Sequence, residues 1–317
     1  MNNELLQIAD YISDNNNFVI IPHKNPDGDC LGSSTALLKA LRGMGKNAKI
    51  ALPTPVGERL KFIWDEDFAK GDFETECVIC VDVASTGMMG DLYEEIFKMI
   101  PCSVCIDHHE TNSGFAMMNY VDSSAASTGE IIYELLGMMN VEPDADICER
   151  LLVSIADDTG CFQYSNTTSR THEIASKLYL KDIDSQGIMK RLYNFHKTFE
   201  IEILKTLLNN MEFCCSGKVC MTHIDYETVK NSGGDFAGAD AWIGLLRSVE
   251  NVEVGILFKI HSDSEVKVSL RSNDYVDVSS LAKSFGGGGH IRAAGVTFFE
   301  PWKDAKKALV EKLEKLV

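Results

Sequence analysis

Four short clusters of acidic and imidazole side chains stand out in this sequence. These are His23-Lys-Asn-Pro-Asp27-Gly-Asp29, a lone Asp82, Asp107-His108-His109, and Asp157-Asp158-Thr-Gly. If the clusters converge, Asp27, Asp29, Asp82, Asp107 and Asp158 bring five carboxylates together. Two like charges 4 Å apart repel by about 4 kcal/mol at an effective dielectric of 20. Such a group must protonate, separate or bind cations, and the neighbouring imidazoles make cation binding the economical outcome. Carboxylate and imidazole donors without a convergent thiolate favour Mn²⁺ or Mg²⁺, with Zn²⁺ and Fe²⁺ as further candidates. The donors suffice for two metals.

Each cluster alone has a plainer reading. A strand-end Asp often caps a helix. Pro26-Asp-Gly-Asp29 reads equally as a turn. Asp107-His-His is too short to inform by itself, and Asp158-Thr-Gly suits a helix C-terminus. The joint pattern is more specific, because three clusters directly follow apolar runs.

Those runs belong to an alternation of elements. Residues 4–16 have the pattern of an amphipathic helix, 18–21 of a buried strand, 30–44 of a helix and 49–52 of a strand. Strands at 77–81 and 103–106 follow, with a helix near 91–99 between them. Short apolar strands alternating with helices predict a doubly wound parallel sheet. In such sheets ligands bind outside the carboxyl ends of the strands, where three of the clusters lie.

Ser127-x-x-Glu130 reads as a capping box opening a helix over 131–139. Helices are expected at 144–157 and 169–181, and a longer one at 185–212 that would connect two domains. From 213 the pattern changes to strands at 219–224, 252–260 and 266–270, a helix near 238–248 and a terminal helix at 302–316. The expected organisation is therefore an α/β chain in three parts. A doubly wound domain spans 1–190, a helical linker 191–212, and a smaller α/β domain 213–317.

Four glycines, Gly286–Gly289, precede His290. Successive glycines let backbone N–H groups close around an anion, and Ile291–Ala294 suits a helix start that would add a favourable dipole. Gly287, Gly288, Gly289 and His290 are thus candidate phosphate contacts. Arg271, at the end of a predicted strand, is a candidate phosphate clamp, since guanidinium binds oxyanions in bidentate fashion. Its plainer reading is a solvated strand-end charge.

Composition limits the partners. Thirty Lys and Arg against 47 Asp and Glu leave a net charge of −17 over 317 residues. Long duplex nucleic acid is bound mainly by neutralising phosphates, so this field argues against it. The ten cysteines include the pairs Cys77-x-x-Cys80 and Cys102-x-x-Cys105, which resemble zinc-site spacing. In strands, however, positions i and i+3 face opposite sides, so buried free thiols are expected. No apolar run approaches the ~18 residues of a membrane span. The first residues show no basic n-region or apolar signal core, so a cytoplasmic protein without membrane contact is expected.

In order, His23-x-x-Pro-Asp27-x-Asp29, Asp82, Asp107-His108-His109 and Asp158-Thr-Gly resemble the four motifs of the DHH phosphoesterase family. Gly286-Gly-Gly-Gly-His290-x-x-Ala-Ala-Gly295 resembles the signature of the DHH-associated C-terminal domain. The length is similar to the nanoRNase and 3′-phosphoadenosine-5′-phosphate phosphatase branch.

The resemblance implies two divalent cations, Mn²⁺ first and Mg²⁺ next. One would take His23, Asp27 and Asp82; the other Asp29, Asp82, His108 and Asp158, with Asp82 bridging. Asp107 would orient His108 or His109, and His109 would touch the scissile phosphate or protonate the leaving oxygen. Asp158 is preferred to Asp157 because it directly precedes Thr-Gly. An Arg-Ser pair common in the family points to Arg271 and Ser272 for substrate. Two cations ~3.5–4 Å apart lower the pKa of a shared water from 15.7 toward ~7, which allows in-line attack on phosphorus.

The implied activity is hydrolysis of short oligoribonucleotides, linear dinucleotides or 3′-phosphoadenosine 5′-phosphate, by a chain that forms a homodimer in analogy with the family. The alternatives are an exopolyphosphatase, a pyrophosphatase or a non-catalytic nucleotide sensor. A family II pyrophosphatase carries a basic Ser-Arg-Lys-Lys-Gln-type element that this sequence lacks. A degenerate sensor should lose a metal residue, and none is missing.

Overall fold

The structure is a computed structural model and describes residues 3–194, 196–240 and 242–317. Packing divides the chain into two compact units, residues 1–195 and 196–317.

In the first unit five strands form one parallel sheet. They are β1 (Phe18–Pro22), β2 (Ala48–Ile50), β3 (Cys77–Val81), β4 (Ser103–Asp107) and β5 (Met118–Val121), in the order β2-β1-β3-β4-β5. β1, β3 and β4 are buried along their whole length, which is why they read as unbroken apolar runs. Among the described residues, seven α-helices accompany the sheet: α1 (Asn3–Asp14), α2 (Gly28–Gly43), α3 (Leu92–Glu95), α4 (Thr128–Met138), α5 (Ala145–Asp158), α6 (Ser169–Leu178) and α7 (Ser185–Met189).

Phe18, Ile20, Cys77 and Ile79 pack into one core with the apolar faces of α1, α2, α4 and α5. Val19, Ile21, Val78, Cys80 and Cys105 face the other side, against Met89 and Phe97. The sheet is thus covered on both faces, and the α/β fold expected from the alternation is present. Cys77 and Cys80 fall in opposite cores, as the strand period requires, and all ten cysteines are free.

The chain runs from β1 outward to β2, then returns past β1 to β3. This reversal creates a switch point between the carboxyl ends of β1 and β3, where doubly wound sheets bind ligands. Asp27 and Asp82 follow those two ends.

Several elements differ from expectation. The helix near 91–99 breaks at Ile96 into α3 and a 3₁₀ turn at Phe97–Met99. The expected helix over 185–212 is not continuous. α7 runs into a π turn at Lys190–Asn194, and α8 (Thr198–Asn209) starts afresh in the second unit. Lys197 precedes it in extended backbone, and the Lys197 amide donates to Glu200 Oε2 at 3.0 Å, so a new N-terminus interrupts the pattern.

The second unit holds a six-stranded sheet. Its strands are β6 (Glu212–Cys214), β7 (Val219–Asp225), β8 (Val254–Ser262), β9 (Glu265–Ser272), β10 (Gly288–His290) and β11 (Ala293–Phe298), in the order β10-β11-β9-β8-β7-β6. β7 and β8 pair in parallel and the other neighbours are antiparallel. Its other helices are α9 (Tyr226–Ser232), α10 (Ala237–Asp240), α11 (Ile243–Arg247), α12 (Val278–Lys283) and α13 (Trp302–Leu313). α10 and α11 replace the single helix expected near 238–248. α13 buries Ala305, Leu309 and Leu313, the i, i+4, i+8 stripe of an amphipathic helix.

The helix start expected at Ile291–Ala294 does not form. His290 pairs with Ala293 and Gly288 with Gly295, so Ile291 and Arg292 are the turn of a β-hairpin. β11 is held on its other side by β9, with Ala294 opposite Leu270. Long-range pairing therefore overrides the local helical tendency. No helix among the described residues is long and apolar enough to cross a membrane.

Candidate metal centre

His23 lies just beyond β1. Its Nδ1 faces the Lys24 carbonyl at 2.9 Å. A carbonyl only accepts, so Nδ1 carries the proton and the Nε2 lone pair stays available. Nε2 lies 3.6 Å from Asp27 Oδ2 and 3.5 Å from Asp82 Oδ2. Asp27 caps α2, its Oδ1 accepting from the Cys30 amide at 3.0 Å, which leaves Oδ2 toward His23.

Asp29 follows in the first turn of α2 and is 1% exposed. Its Oδ1 accepts from Ser154 Oγ at 2.5 Å and from the Gly129 amide at 3.2 Å; its Oδ2 accepts from the Thr128 amide at 2.8 Å. The carboxylate thus sits at the N-terminus of α4, where the helix dipole favours negative charge.

Asp82 follows β3 with φ at +61°, a left-handed conformation that costs a non-glycine residue about 1–2 kcal/mol. Its two oxygens face different imidazoles: Oδ2 faces His23, while Oδ1 lies 3.7 Å from His108 Nε2. Thr128 Oγ1 donates to Oδ1 at 2.9 Å.

His108 follows β4. Its Nδ1 faces the Ala125 carbonyl at 3.3 Å, so its Nε2 also presents a lone pair. That nitrogen lies 3.6 Å from Asp29 Oδ2 and 3.3 Å from Asp158 Oδ2. His109 turns elsewhere, its Nδ1 lying 2.7 Å from Asp107 Oδ1. Asp107 also accepts from the His108 amide at 2.8 Å and, through Oδ2, from Asn112 Nδ2 at 2.6 Å. Of the two histidines it was expected to orient, Asp107 bonds the ring of His109.

The neighbouring acids at the end of α5 divide their work. Asp158 faces His108. Asp157 accepts from the Gly28 amide at 2.7 Å through Oδ2 and pairs with Arg59 through Oδ1. A Cβ on Gly28 would fall 2.5 Å from the Cβ of Asp157, so glycine is required for this approach. Asn166 Nδ2 holds the Asp158 carbonyl at 3.1 Å.

The electrostatics match this crowding. Burial, together with the charges of Asp82 and Asp158, raises the Asp29 carboxyl well above its ordinary range. Burial pushes Asp158 up to about 7, with His108 opposing and Asp82 reinforcing. For His23 burial works downward, but in the metal-free chain the Asp27 and Asp82 carboxylates outweigh it and hold the imidazole above its usual range, so that a cation would take the place of a proton on Nε2. The hydrogen bond from Asp107 raises His109 to about 9. Burial works against ionised Asp107, but hydrogen bonds from His109 and Asn112 keep it below the usual range.

The donors fit divalent cations. Three groups bring ligand atoms within 4.8 Å of one another: His23, Cys30 and Asp82; Asp82, His108 and His109; and Asp29, His108 and Asp158. Lone pairs of two imidazoles aimed at buried carboxylates leave room for cations between them. Cys30 is a thiol that the sequence did not place here. Its Sγ accepts from the His23 amide at 3.1 Å, and burial pushes its pKa up, so it serves as a neutral acceptor.

Sequence reasoning also missed Thr128, Ser154, Asn112, Asn166 and Arg59. One signal was available: Ser127-Thr-Gly-Glu130 marks a helix start, which attracts anions. The capping box is half made. Ser127 Oγ accepts from the Glu130 amide at 3.4 Å, but Glu130 Oε2 takes the Ala126 amide at 3.2 Å rather than that of Ser127.

In the second unit Arg271 is half-buried on β9, with one guanidinium nitrogen donating to the Leu270 carbonyl at 3.0 Å. Ser272 is buried, and its hydroxyl donates to the Val276 carbonyl at 2.7 Å. Gly289 has φ at +142°, and a Cβ there would fall 2.5 Å from the Ala293 carbonyl. Gly287 meets the Gly295 carbonyl at 2.3 Å in the same sense. These glycines let β10 lie close against β11, and Gly288 is part of that strand. The side chain of His290 lies outside the described residues.

A doubly wound sheet whose carboxyl ends gather two adjoining sets of carboxylate and imidazole donors is the framework of a two-metal phosphoesterase. The chain belongs to the DHH family. Residues 17–155 match the DHH family N-terminal domain, and residues 222–317 match the DHHA1 domain. It is 30% identical over 282 residues to the bifunctional oligoribonuclease and PAP phosphatase NrnA of Thermus thermophilus, spanning 88% of this chain and 83% of that protein. It is 27% identical to the protein of the same name from Bacillus subtilis, over 91% of each chain. The crystal structure of an exopolyphosphatase-related protein from Bacteroides fragilis matches with a TM-score of 0.92, over 100% of this chain and 98% of that one. The sequences of these two are 22% identical, so that likeness speaks for the fold alone.

Proposed function

We propose that this chain hydrolyses short oligoribonucleotides, linear dinucleotides and 3′-phosphoadenosine 5′-phosphate at a binuclear centre. The observation that carries the reading is Asp82, whose two oxygens lie 3.5 Å from His23 Nε2 and 3.7 Å from His108 Nε2. In this reading His23, Asp27 and Asp82 hold one cation, and Asp29, Asp82, His108 and Asp158 hold the other. Mn²⁺ suits these donors best, with Mg²⁺ second. When bound, two such cations lower the pKa of water and neutralise charge on the phosphoryl oxygens.

The chain's own groups do the rest. The Lys24 and Ala125 carbonyls fix the tautomers of His23 and His108. Asp107 raises the His109 imidazole, to about 9 in the metal-free chain, and so favours a ring proton on Nε2 that can be given to a phosphoryl or leaving oxygen. Arg271 offers its guanidinium to a substrate phosphate. Ser272, being buried, acts by bracing the turn to Val276. β10 is an edge strand, so part of its backbone faces away from β11, and Gly288, Gly289 and His290 can approach an anion there. The Gly287 amide is already taken by the Ala282 carbonyl at 2.9 Å, so Gly287 would line the site without donating to it.

The substrate class is supported by relatives named for both activities, matched over nearly their full lengths. It also suits the charge of −17, since short substrates need no extended basic track. The test is product release with Mn²⁺ from linear diadenylate, short RNA oligomers, 3′-phosphoadenosine 5′-phosphate, pyrophosphate and polyphosphate. The first three are expected to turn over. Turnover of pyrophosphate or polyphosphate alone would replace this reading, and metal binding without any turnover would leave a nucleotide sensor.

A further inference from the structure

We propose that Thr128 is a positioning residue that fixes the rotation of the Asp82 carboxylate and thereby couples the two cation sites; this rests on the binuclear reading above. Thr128 is the first residue of α4 and is 0% exposed. It touches both acidic segments at once. Its amide donates to Asp29 Oδ2 at 2.8 Å and its hydroxyl to Asp82 Oδ1 at 2.9 Å. A carboxylate only accepts, so the direction of the second bond is certain.

The geometry gives this hydroxyl a specific task. The terminal torsion of an aspartate is broad and roughly two-fold, so the backbone alone does not set which oxygen faces which metal. The imidazole nitrogens around Asp82 stand at 3.5–3.7 Å, which leaves Thr128 as the closest donor. Anchoring Oδ1 on the His108 side leaves Oδ2 facing His23, the arrangement a bridging ligand needs. Asp29 is braced from the same helix end, with Ser154 Oγ at 2.5 Å and the Gly129 amide at 3.2 Å on its Oδ1. A Cβ on Gly129 would fall 1.9 Å from Ser154 Oγ, so the two braces depend on a glycine between them. No water can replace the hydroxyl at a fully buried position without rearrangement, so its removal leaves Oδ1 short of a donor.

The experiment is Mn²⁺ titration of the metal-free protein by calorimetry, with electron paramagnetic resonance to detect coupled Mn²⁺ pairs. Thr128→Ala and Thr128→Ser differ only in the hydroxyl. The wild type is expected to bind two Mn²⁺ as a coupled pair. Thr128→Ala is expected to keep the first binding step and weaken the second by about 10–100-fold, the range for lost outer-sphere partners, with the coupled signal lost. Thr128→Ser is expected to restore both. If Thr128→Ala does not fold, Thr128→Val provides the comparison with Thr128→Ser. Wild-type titrations from the hydroxyl-free variant, or equal weakening in both variants, would overturn the role of Thr128. A wild type that binds fewer than two Mn²⁺ would instead overturn the binuclear reading.

Discussion

The imidazoles of His108 and His109 lie 4.7 Å apart, centre to centre, inclined by 64°, and they are prepared for opposite tasks. His108 spends its Nδ1 proton on the Ala125 carbonyl and turns a lone pair toward Asp29 and Asp158. His109 turns its Nδ1 to ionised Asp107, which stabilises a second proton on the ring. In the proposed reading, adjacent residues would thus supply a cation ligand and an acid. What separates them is whether the Nδ1 partner is a neutral carbonyl or a carboxylate.

The pair gives a prediction about pH. Asp107→Asn removes the charge that holds His109 at about 9, so its pKa should fall toward the ordinary 6.5. The high-pH limb of kcat should move down with it, and kcat should drop by about 10–100-fold. Mn²⁺ affinity should change little. A limb that stays in place would remove His109 from the proton transfer.

Asp82→Asn should leave the protein folded and nearly inactive, with a loss beyond the ~100-fold typical of an outer-sphere partner. Removing one charge from a buried acidic cluster should also raise the melting temperature of the metal-free form. Mn²⁺ should then add less stability than it does to the wild type. Calorimetry with and without Mn²⁺ reads both effects, and an undiminished Mn²⁺ shift would refute the bridging assignment.

Metal-free protein should lose stability as pH rises from about 4 to about 9. Asp158, pushed up to about 7 from an ordinary 3.8, keeps in the folded chain a proton that the unfolded chain has released. Its folded form is therefore penalised as pH climbs through that window. His109, raised from 6.5 to about 9, contributes stability below 6.5 that disappears as pH passes 9. Asp107 lies below the usual carboxylate range and acts only under more acidic conditions. Thermal melts across this range should slope downward, and saturating Mn²⁺ should flatten or reverse the slope. A flat metal-free profile would contradict these assignments.

Gly28→Ala should destabilise the protein by about 1–3 kcal/mol, the usual cost of overpacking. The new methyl would sit 2.5 Å from the Asp157 Cβ, between two proposed metal ligands. Denaturant unfolding measures the cost, and Mn²⁺ affinity should fall in parallel. Unchanged stability would mean that α5 does not approach α2 this closely.

The sequence displayed the parts of this molecule whose signals are local. β1, β3 and β4 are buried on both faces, so each is a continuous apolar word followed by an acid or a histidine. β5 was missed because Tyr120 is its one buried residue, which leaves no run and little alternation. The hairpin after the glycines was not foreseen, and a helix start at Ile291–Ala294 was expected instead, because glycine has no side-chain pattern. Their strand exists through pairing with Gly295, Ala294 and Ala293, which nothing local announces.

The same rule separates the groups of the metal centre. The clustered acids and histidines stand directly after their elements and could be read in order. Ser154 could not. It lies in the apolar stretch Leu151–Ala156 of α5 and reaches Asp29 across 125 positions of sequence. Thr128 reaches Asp82 across 46, and Arg59 reaches Asp157 across 98. Such residues look like ordinary helix or loop polarity until the chain is folded. Adjacent Asp157 and Asp158 show the limit most clearly. The family resemblance chose Asp158, but only packing reveals that its neighbour is occupied with a backbone amide and a guanidinium.

Asp82 occupies a backbone conformation, φ +61°, that glycine would adopt without penalty. A descendant of this chain released from the need to turn over substrate would gain robustness by exchanging this aspartate for glycine, relieving a twist and a buried charge in one step. Glycine in place of Asp82 would therefore mark a chain that no longer holds the proposed cation pair.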